Sequence, residues 1–597
     1  MHTSIHDREK NGVTWFPILI QRDFISTGDR ITLEIRKQKH PERKHAFQVG
    51  AVVGVFSGTE EKGKSIGGVV SYLREEVMRI VLNQSFLPDW IREDQLGVNL
   101  LFDDGTYREM NRSLQAVIQA KNDRLSELRD IIYGLKPARF SGGYTYQLPS
   151  LNPKQNDAFA KVIHAEDVAF IHGPPGTGKT TTLVKCIGEV VQREKQVLVC
   201  APSHAAVDLL VEKLINEQIN VLRIGHPARL TPEVVENSLD VRISKHPDFN
   251  RLKDIRKKSE EYRNMADKYK RNFGRDERMQ RELLRKEAKQ LKSASRDLEN
   301  YISEYLVDHA QVIACTLTGA SNALISERHF KTVFIDESSQ ALEAAAWIPI
   351  IRSKRLIMSG DHHQLPPTIK SFEAAKEGLE HTLFAKGQTN QQESVVMLET
   401  QYRMDPLIMG FSSEQFYDGK LQADESLLQR PNAYAQPISF IDTAGTGFTE
   451  EVKEETLSTF NKEEAQLLIQ LLANETLDES TVGIIAPYKA QVELLTRLVN
   501  ESADLATWRP QITVNSVDAF QGQERDVIYI SLTRSNDQAE IGFLREYRRL
   551  NVAMTRARKK LVILGDSATL GSDGFFGKML DYIQQHGQHS SAFEFMY

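Results

Sequence analysis

The sequence predicts an α/β protein: two parallel-sheet domains in tandem, preceded by a small antiparallel barrel or sheet. Three observations predict it. From about residue 150, short apolar runs (VAFIHG, VLVCAP, VFIDES, RLIMSGD) alternate with helical stretches, the pattern of a parallel sheet with crossover helices. A second series (ISFIDT, VGIIAPY, VIYISLTRS, LVILGD) repeats that alternation toward the C-terminus. Ahead of both, residues 20–110 carry short strand-like runs between turns (AFQVGAVVGVF, GGVVSYL, LGVNLLFDDGTYREM).

Taken in order, the N-terminal runs end at Asp104-Gly105. This pair between apolar segments is a hairpin signal, because both turn positions favour φ > 0. Residues 108–135 then change to helical spacing through Met110, Leu114, Val117, Ile118, Leu125, Leu128, Ile131 and Ile132. The first α/β domain is interrupted over 235–305, which holds no strand-like run and reads as long charged helices. No short-period repeat and no low-complexity linker is present.

Length and composition bound the function classes. At 597 residues the chain exceeds one core, so two to four domains are expected. A content of 40% hydrophobic and 26% charged residues is that of a soluble protein, and no apolar run reaches membrane-spanning length. The opening MHTSIHDREKNG lacks a secretory apolar core, so a cytoplasmic protein is expected. The three cysteines (Cys186, Cys200, Cys315) sit in separate apolar runs, read as core residues in a reducing compartment, and are too few for a multi-cysteine zinc module. Net charge is −6, yet residues 251–300 hold 17 Lys/Arg against 10 Asp/Glu, a local +7 that leaves −13 elsewhere. In isolation such a run is a solvated helical face.

The stretch HGPPGTGKTTT fits G-x-x-x-x-G-K-[ST] from Gly173 to Thr180, after a strand and before a helix. The glycines let backbone N–H groups close on phosphate oxygens, and the helix N-terminus adds its positive end. The predicted nucleotide site comprises Gly173, Pro174, Pro175, Gly176, Thr177, Gly178, Lys179, Thr180 and Thr181. Lys179 reaches the β/γ-phosphates of ATP, and the Thr180 hydroxyl can ligate Mg²⁺.

Two further strand ends carry polar residues. VFIDES closes on Asp336, a candidate Mg²⁺ ligand, and Glu337, a candidate for polarising the attacking water. GDHHQLPP offers Gln364 to sense the γ-phosphate or to position water. Its His362-His363 pair invites a metal, but adjacent side chains diverge and no Cys/His/Glu cluster nearby completes a shell. In ETQYRMDP, Tyr402 could stack on adenine and Arg403 could reach the γ-phosphate; Arg556, with Arg558 nearby, is a second candidate arginine finger.

LNPKQ (151–155), GPPGTGKTTT, CAPSHAAVD, the DES acid pair, GDHHQLPP, QYRMDP, VDAFQGQERD and NVAMTRAR follow one another as in superfamily 1 helicases of the up-frameshift-like group. The chain resembles that family over about residues 20–570. The resemblance implies two tandem RecA-like P-loop domains, a β-barrel on a helical stalk at 1–137, a first RecA-like domain at 138–390 with its insertion at 235–305, and a second at 391–597. It implies that Gln155 contacts adenine and Tyr402 stacks on it, that Gly522 and Glu524 lie beside the nucleotide, and that Arg403 and Arg556 are the two fingers. Ser203, His204, Thr316, Pro487 and Tyr488 would line the single-strand track; where His204 stands, relatives usually carry asparagine. The cysteine count implies a motor core without the zinc-rich domain of some relatives.

The expectation is an ATP-dependent, Mg²⁺-using helicase or translocase acting as a monomer on single-stranded or tailed DNA or RNA, with no membrane partner. The resemblance implies 5′ to 3′ movement. In such a motor the +7 insertion would grip phosphates. The alternative is an ATP-dependent clamp or remodelling switch without processive unwinding. A P-loop kinase leaves Arg403, Arg556 and the second α/β domain without a role.

Overall fold

The computed structural model describes residues 4–26, 28–40, 45–58, 64–84, 87–92, 95–101, 104–143, 147–267, 274–369, 371–429, 434–454, 456–475 and 479–596. The chain divides into two compact units. One comprises Met1–Arg129, Ile187–Asp336 and Ala344–Leu356; the other comprises Asp130–Cys186, Glu337–Glu343 and Ile357–Tyr597.

The first strands are β1 (Thr14–Ser26), β2 (Arg30–Lys37), β3 (Val52–Ser57), β4 (Ser65–Arg74), β5 (Val77–Leu82) and β6 (Leu96–Leu100). They close into an antiparallel barrel in the order β1-β2-β5-β4-β3-β6. Closure comes from β6, which pairs with both β1 and β3. Inward residues such as Trp15, Leu33, Ile35, Val55, Ile80 and Val98 fill the lumen, as a six-stranded barrel requires. Strand sequence begins at Thr14, earlier than its composition suggested, because Thr14-Trp15-Phe16 is already apolar and β-branched or aromatic.

The expected hairpin at Asp104-Gly105 is corrected. Asp104 opens helix α1 (Asp104–Gln119), followed by α2 (Arg124–Ile132). A two-residue turn needs a strand on each side, but the sequence after Gly105 has a helical period.

Farther along come α3 (Pro153–His164), β7 (Val168–His172), α4 (Lys179–Glu194), β8 (Val197–Ala201), α5 (His204–Asn216) and β9 (Val221–Arg223). The insertion forms α6 (Phe249–Asp267) and α7 (Arg275–His309), and the sheet resumes with β10 (Val312–Thr316), β11 (Phe330–Ile335), β12 (Ser353–Gly360) and β13 (Val395–Met397). The last part contains α8 (Pro406–Phe416), β14 (Ile438–Asp442), β15 (Val482–Ala486), β16 (Ile512–Ser516), β17 (Arg525–Ser531), α9 (Tyr547–Met554), β18 (Ala557–Gly565) and β19 (Gln588–Ser591).

In the first unit β11, β8, β10 and β9 lie side by side and parallel. Every residue of β8 is buried, which is why VLVCA reads as a continuous apolar run. Cys200 and Cys315 meet in register across β8 and β10. Helices α6 and α7 run against one another: Ser259 Oγ donates to the Ala288 carbonyl at 2.9 Å, and Arg256 pairs with Glu299 at 2.8 Å. Their base is apolar, with Leu252 and Ile302 fully buried against Ile243. The barrel is tied to this base by Arg30 Nε, which donates to Asp240 at 2.9 Å.

In the second unit β13 pairs in parallel with β7. A separate six-stranded sheet, β16-β15-β17-β18-β14-β19, has its apolar cores on either side. Strands β10, β16 and β19, although not singled out in the sequence, belong to these sheets. Among the described residues no helix is long and apolar enough to cross a membrane.

Candidate nucleotide and nucleic-acid sites

The phosphate loop joins the end of β7 to the start of α4. Gly176 and Gly178 have φ of 76° and 73°, conformations that L side chains seldom adopt. Space reinforces this, since a Cβ on Gly176 would stand 2.8 Å from Arg403 Cβ and one on Gly178 2.7 Å from Gln155 Nε2. The loop is braced from within by Thr177 Oγ1, which donates to the Pro174 carbonyl at 2.7 Å.

Gln155 braces it from outside. Its Nε2 donates to the Thr177 carbonyl at 3.0 Å, and its Oε1 accepts from Asn152 N–H at 3.0 Å as part of a capping box on α3. Tyr402 N–H donates to the Gly176 carbonyl at 2.9 Å, and Tyr402 OH accepts from Asn152 Nδ2 at 2.8 Å. The Tyr402 side chain is nonetheless 42% exposed, so its ring has a free face.

Lys179 Nζ lies 2.8 Å from Glu337 Oε1, and Gln340 Nε2 donates to the other Glu337 oxygen at 2.9 Å. Glu337 itself sits at φ 49°, a left-handed conformation costly for a residue with a Cβ. Asp336 directly follows β11 in the first unit, buried, with its N–H donated to the Cys200 carbonyl. Thr180 stands in the first turn of α4.

The arginines share one environment. Arg403 Nε is 2.5 Å from Glu524 Oε2 and Arg403 Nη1 donates to the Thr555 carbonyl at 3.2 Å. Glu524 also accepts from Arg558 Nε at 3.0 Å. Burial lowers the pKa of Arg403, and the Glu524 charge opposes that shift. Arg556 is only 2% exposed and donates to the carbonyls of Val552 and Gln523 and to Thr555 Oγ1. Burial, then the neighbouring Arg403 charge, pushes Arg556 down to about 9, still a cation at neutral pH. Gly522, with φ 77°, turns the chain just before Glu524.

Gln364 is held by Asp361, donating to Oδ2 at 2.8 Å. The expectation that the His362 and His363 rings diverge is corrected: their centroids are 3.9 Å apart, and His172 stands 4.9 Å from His362. Ligand atoms of His172, Asp361 and His362 lie within 4.8 Å of one another. Asp361, however, already accepts from His172, the His363 N–H, Gln364 and Tyr417. With its lone pairs engaged, this cluster is a hydrogen-bond network.

In the first unit, His204 and Thr316 line one open cavity of about 520 Å³ together with Arg108, His226 and Arg229. Ser203 caps α5 by accepting from Ala206 N–H at 3.2 Å, and Thr316 Oγ1 accepts from Gly319 N–H at 3.1 Å. Behind them the fully buried Arg223 pairs with Asp208 at 2.8 Å and lies 3.1 Å from His204 Nδ1. Burial, then the Arg223 and Arg229 charges, pushes His204 down to about 4, so its imidazole is neutral at pH 7. Pro487 and Tyr488 follow β15 in the second unit, where Tyr488 OH accepts from Phe543 N–H at 3.2 Å.

Two family models, each described as an AAA domain, match residues 150–372 and 379–568. DNA polymerase alpha-associated DNA helicase A of Schizosaccharomyces pombe is 33% identical over 577 residues, covering 91% of this chain and 84% of that protein. The chain belongs to the superfamily 1 helicases of the up-frameshift-like group. DNA-binding protein SMUBP-2 of Rattus norvegicus is 33% identical over 622 residues, and this superfamily 1 chain spans 62% of its length. The Regulator of nonsense transcripts 1 homolog of Arabidopsis thaliana is 35% identical over 459 residues, covering 74% of the chain and 34% of that protein.

Within this helicase fold, four polar residues that the sequence reading passed over stand beside the nucleotide site: His172, Asp361, Tyr417 and Asn551. His172, Asp361 and Asn551 lie inside the HGPPGTGKTTT, GDHHQLPP and NVAMTRAR stretches without being singled out there, and Tyr417, which follows the last residue of α8, belongs to none of those stretches.

Proposed function

We propose that this chain is an ATP-driven motor that moves 5′ to 3′ along single-stranded DNA or RNA and separates duplexes. The observation that carries the reading is the convergence on one loop: Lys179 with Glu337, and the Tyr402-Arg403 segment against Gly176. On this reading the loop supplies a phosphate cradle, Glu337 a carboxylate base and Arg403 with Arg556 the cationic fingers that phosphoryl transfer uses.

In this mechanism γ-phosphate oxygens displace Glu337 from Lys179, which frees the Glu337 carboxylate to take a proton from the attacking water. Tyr402 stacks on the base. Gln155 orients the loop by its bond to Thr177, and reaching adenine requires it to release one of its two amide contacts. Arg403 leaves Glu524 to meet charge on the γ-phosphate, and Arg556 supplies the second cation. Thr180 and Asp336 offer a hydroxyl and a carboxylate, hard oxygen donors that suit Mg²⁺, which when bound neutralises phosphate charge. Ser203, His204, Thr316, Pro487 and Tyr488 line the strand path, and Gly522 turns the chain that presents Glu524.

The proposed organisation is a barrel and stalk over 1–137, RecA-like domains over 138–390 and 391–597, and a strand-gripping insertion over 235–305. The proposal includes a monomeric motor, and its reducing, cytoplasmic setting is consistent with three buried free cysteines. A strand-displacement assay tests the whole: DNA and RNA duplexes with 5′ or 3′ tails report substrate and polarity together. Displacement of 5′-tailed duplexes alone is expected. ATP hydrolysis without displacement of any of them would instead indicate a clamp.

A further inference from the structure

An unbroken line of buried hydrogen bonds leaves the phosphate loop and ends on Arg556. His172, immediately before Gly173, lies with Nε2 3.1 Å from Asp361 Oδ1. Asp361 Oδ2 accepts from Tyr417 OH at 2.7 Å, and the same hydroxyl accepts from Asn551 Nδ2 at 3.1 Å. The Asn551 carbonyl accepts from Thr555 Oγ1 at 2.7 Å, and Thr555 Oγ1 accepts from Arg556 Nη2 at 3.3 Å. All six residues are buried.

We propose that Tyr417 is a positioning residue that couples the phosphate loop to Arg556. The proposal rests on the reading of Arg556 as a finger. Tyr417 is placed for this because its hydroxyl both donates to Asp361 and accepts from Asn551. Asn551 Nδ2 is also held by the His363 carbonyl at 2.9 Å, so helix α9 is anchored to the GDHHQ segment at two points. Gln364 and Tyr417 share Asp361 Oδ2, at 2.8 and 2.7 Å. If Gln364 turns toward a γ-phosphate it leaves that oxygen, and Tyr417 becomes its remaining side-chain donor. The Tyr417–Asp361 bond then tightens, because a buried carboxylate cannot lose a donor without cost. That pull passes through Asn551 to the turn that carries Thr555 and Arg556. The ring is buried in the apolar core, packed edge-on to His363 at 5.4 Å, so the hydroxyl has little freedom to find another partner.

The test is steady-state ATPase of the full chain with saturating oligo(dT) or oligo(U), whichever stimulates more. Tyr417→Phe keeps the ring and removes one oxygen. It should lower kcat at least about tenfold, the scale of one hydrogen bond to an ionised group, with KM for ATP within about twofold. In an Arg556→Ala background it should cost nothing further, because the line then has no terminus. Asn551→Ala breaks the same line one residue on and should reproduce both results, which guards against a folding defect peculiar to Tyr417. Thermal melts accompany each variant. Wild-type kcat in folded Tyr417→Phe sinks the proposal, as does an equal loss with and without Arg556, which marks a purely structural effect. If Arg556→Ala alone keeps full kcat, the finger assignment falls and the line with it; if Arg556→Ala is slow while Tyr417→Phe is not, only the line falls.

Discussion

Lys179 Nζ and Glu337 Oε1 are 2.8 Å apart, so the cation proposed for phosphate and the base proposed for water hold each other. Replacing Glu337 removes two functions at once, the base and the competitor for Lys179. Glu337→Gln should therefore hydrolyse ATP at least about a hundredfold slower while binding it no more weakly than wild type. Lys179→Ala should instead weaken nucleotide binding. Turnover and ATP affinity on both variants check this, and near-normal turnover in Glu337→Gln removes it from the mechanism.

Tyr402 and Arg403 are neighbours with different surroundings, the ring 42% exposed and the guanidinium tied to Glu524. Tyr402→Ala should raise KM for ATP, with a loss on the order of 1–3 kcal/mol if it stacks on the base. Arg403→Ala and Arg556→Ala should each lower kcat by about 10³-fold, the low end for arginine fingers. Both side chains touch Thr555, so the double variant should be less than additive. A reversed pattern, with kcat lost in Tyr402→Ala and kept in Arg403→Ala, overturns the assignment.

The α6–α7 hairpin can be shortened without disturbing its base. Residues 257–298 carry 14 Lys/Arg and 8 Asp/Glu, a net +6 beyond the Arg256–Glu299 pair. Replacing them with a short Gly/Ser linker should flatten the dependence of log affinity for single strand on log salt, because fewer phosphates are neutralised. An unchanged slope would return these helices to the role of a solvated face.

Glu464 is fully buried under β17, accepting from Ser531 Oγ at 2.5 Å and Thr533 N–H at 2.9 Å. Burial pushes its pKa up to about 7, these hydrogen bonds restrain the rise and the Asp566 charge adds to it. The native state therefore binds a proton that the unfolded chain releases near the ordinary carboxyl range. This favours folding at acid pH, and stability falls as pH rises from about 4.5 to 7, by up to about 3 kcal/mol. Melting temperatures across that window should show the slope in wild type and lose it in Glu464→Gln.

The strands that position the nucleotide site were legible because a strand buried on both faces has no polar positions to obscure it: VAFIH, VLVCA and VGIIA are buried throughout. ITVNS at β16 escaped notice because it is an edge strand of intermediate burial with an Asn inside it. The Asp104-Gly105 turn failed because a local dipeptide preference yields to the helical period of the residues behind it. The residues proposed to bind phosphate are contiguous in sequence, so a spacing rule finds them. The Asp361–Tyr417–Asn551 line spans 190 positions by number and has no spacing rule; only the folded chain brings it together. The Asn152–Gln155 capping box is local in sequence, but nothing local shows that the same Gln155 amide also holds the Thr177 carbonyl.

Burial first, and then the Arg223 and Arg229 charges, keep His204 uncharged across the whole range in which cells operate. A stepping machine needs contacts that let go as readily as they catch. A cation here would hold each passing phosphate by a long-range pull and act as a brake. On the proposed strand path, a neutral imidazole would offer only a contact that vanishes once the strand advances by a nucleotide. The buried Asp208–Arg223 pair beside His204 would there help set how sticky the tread is.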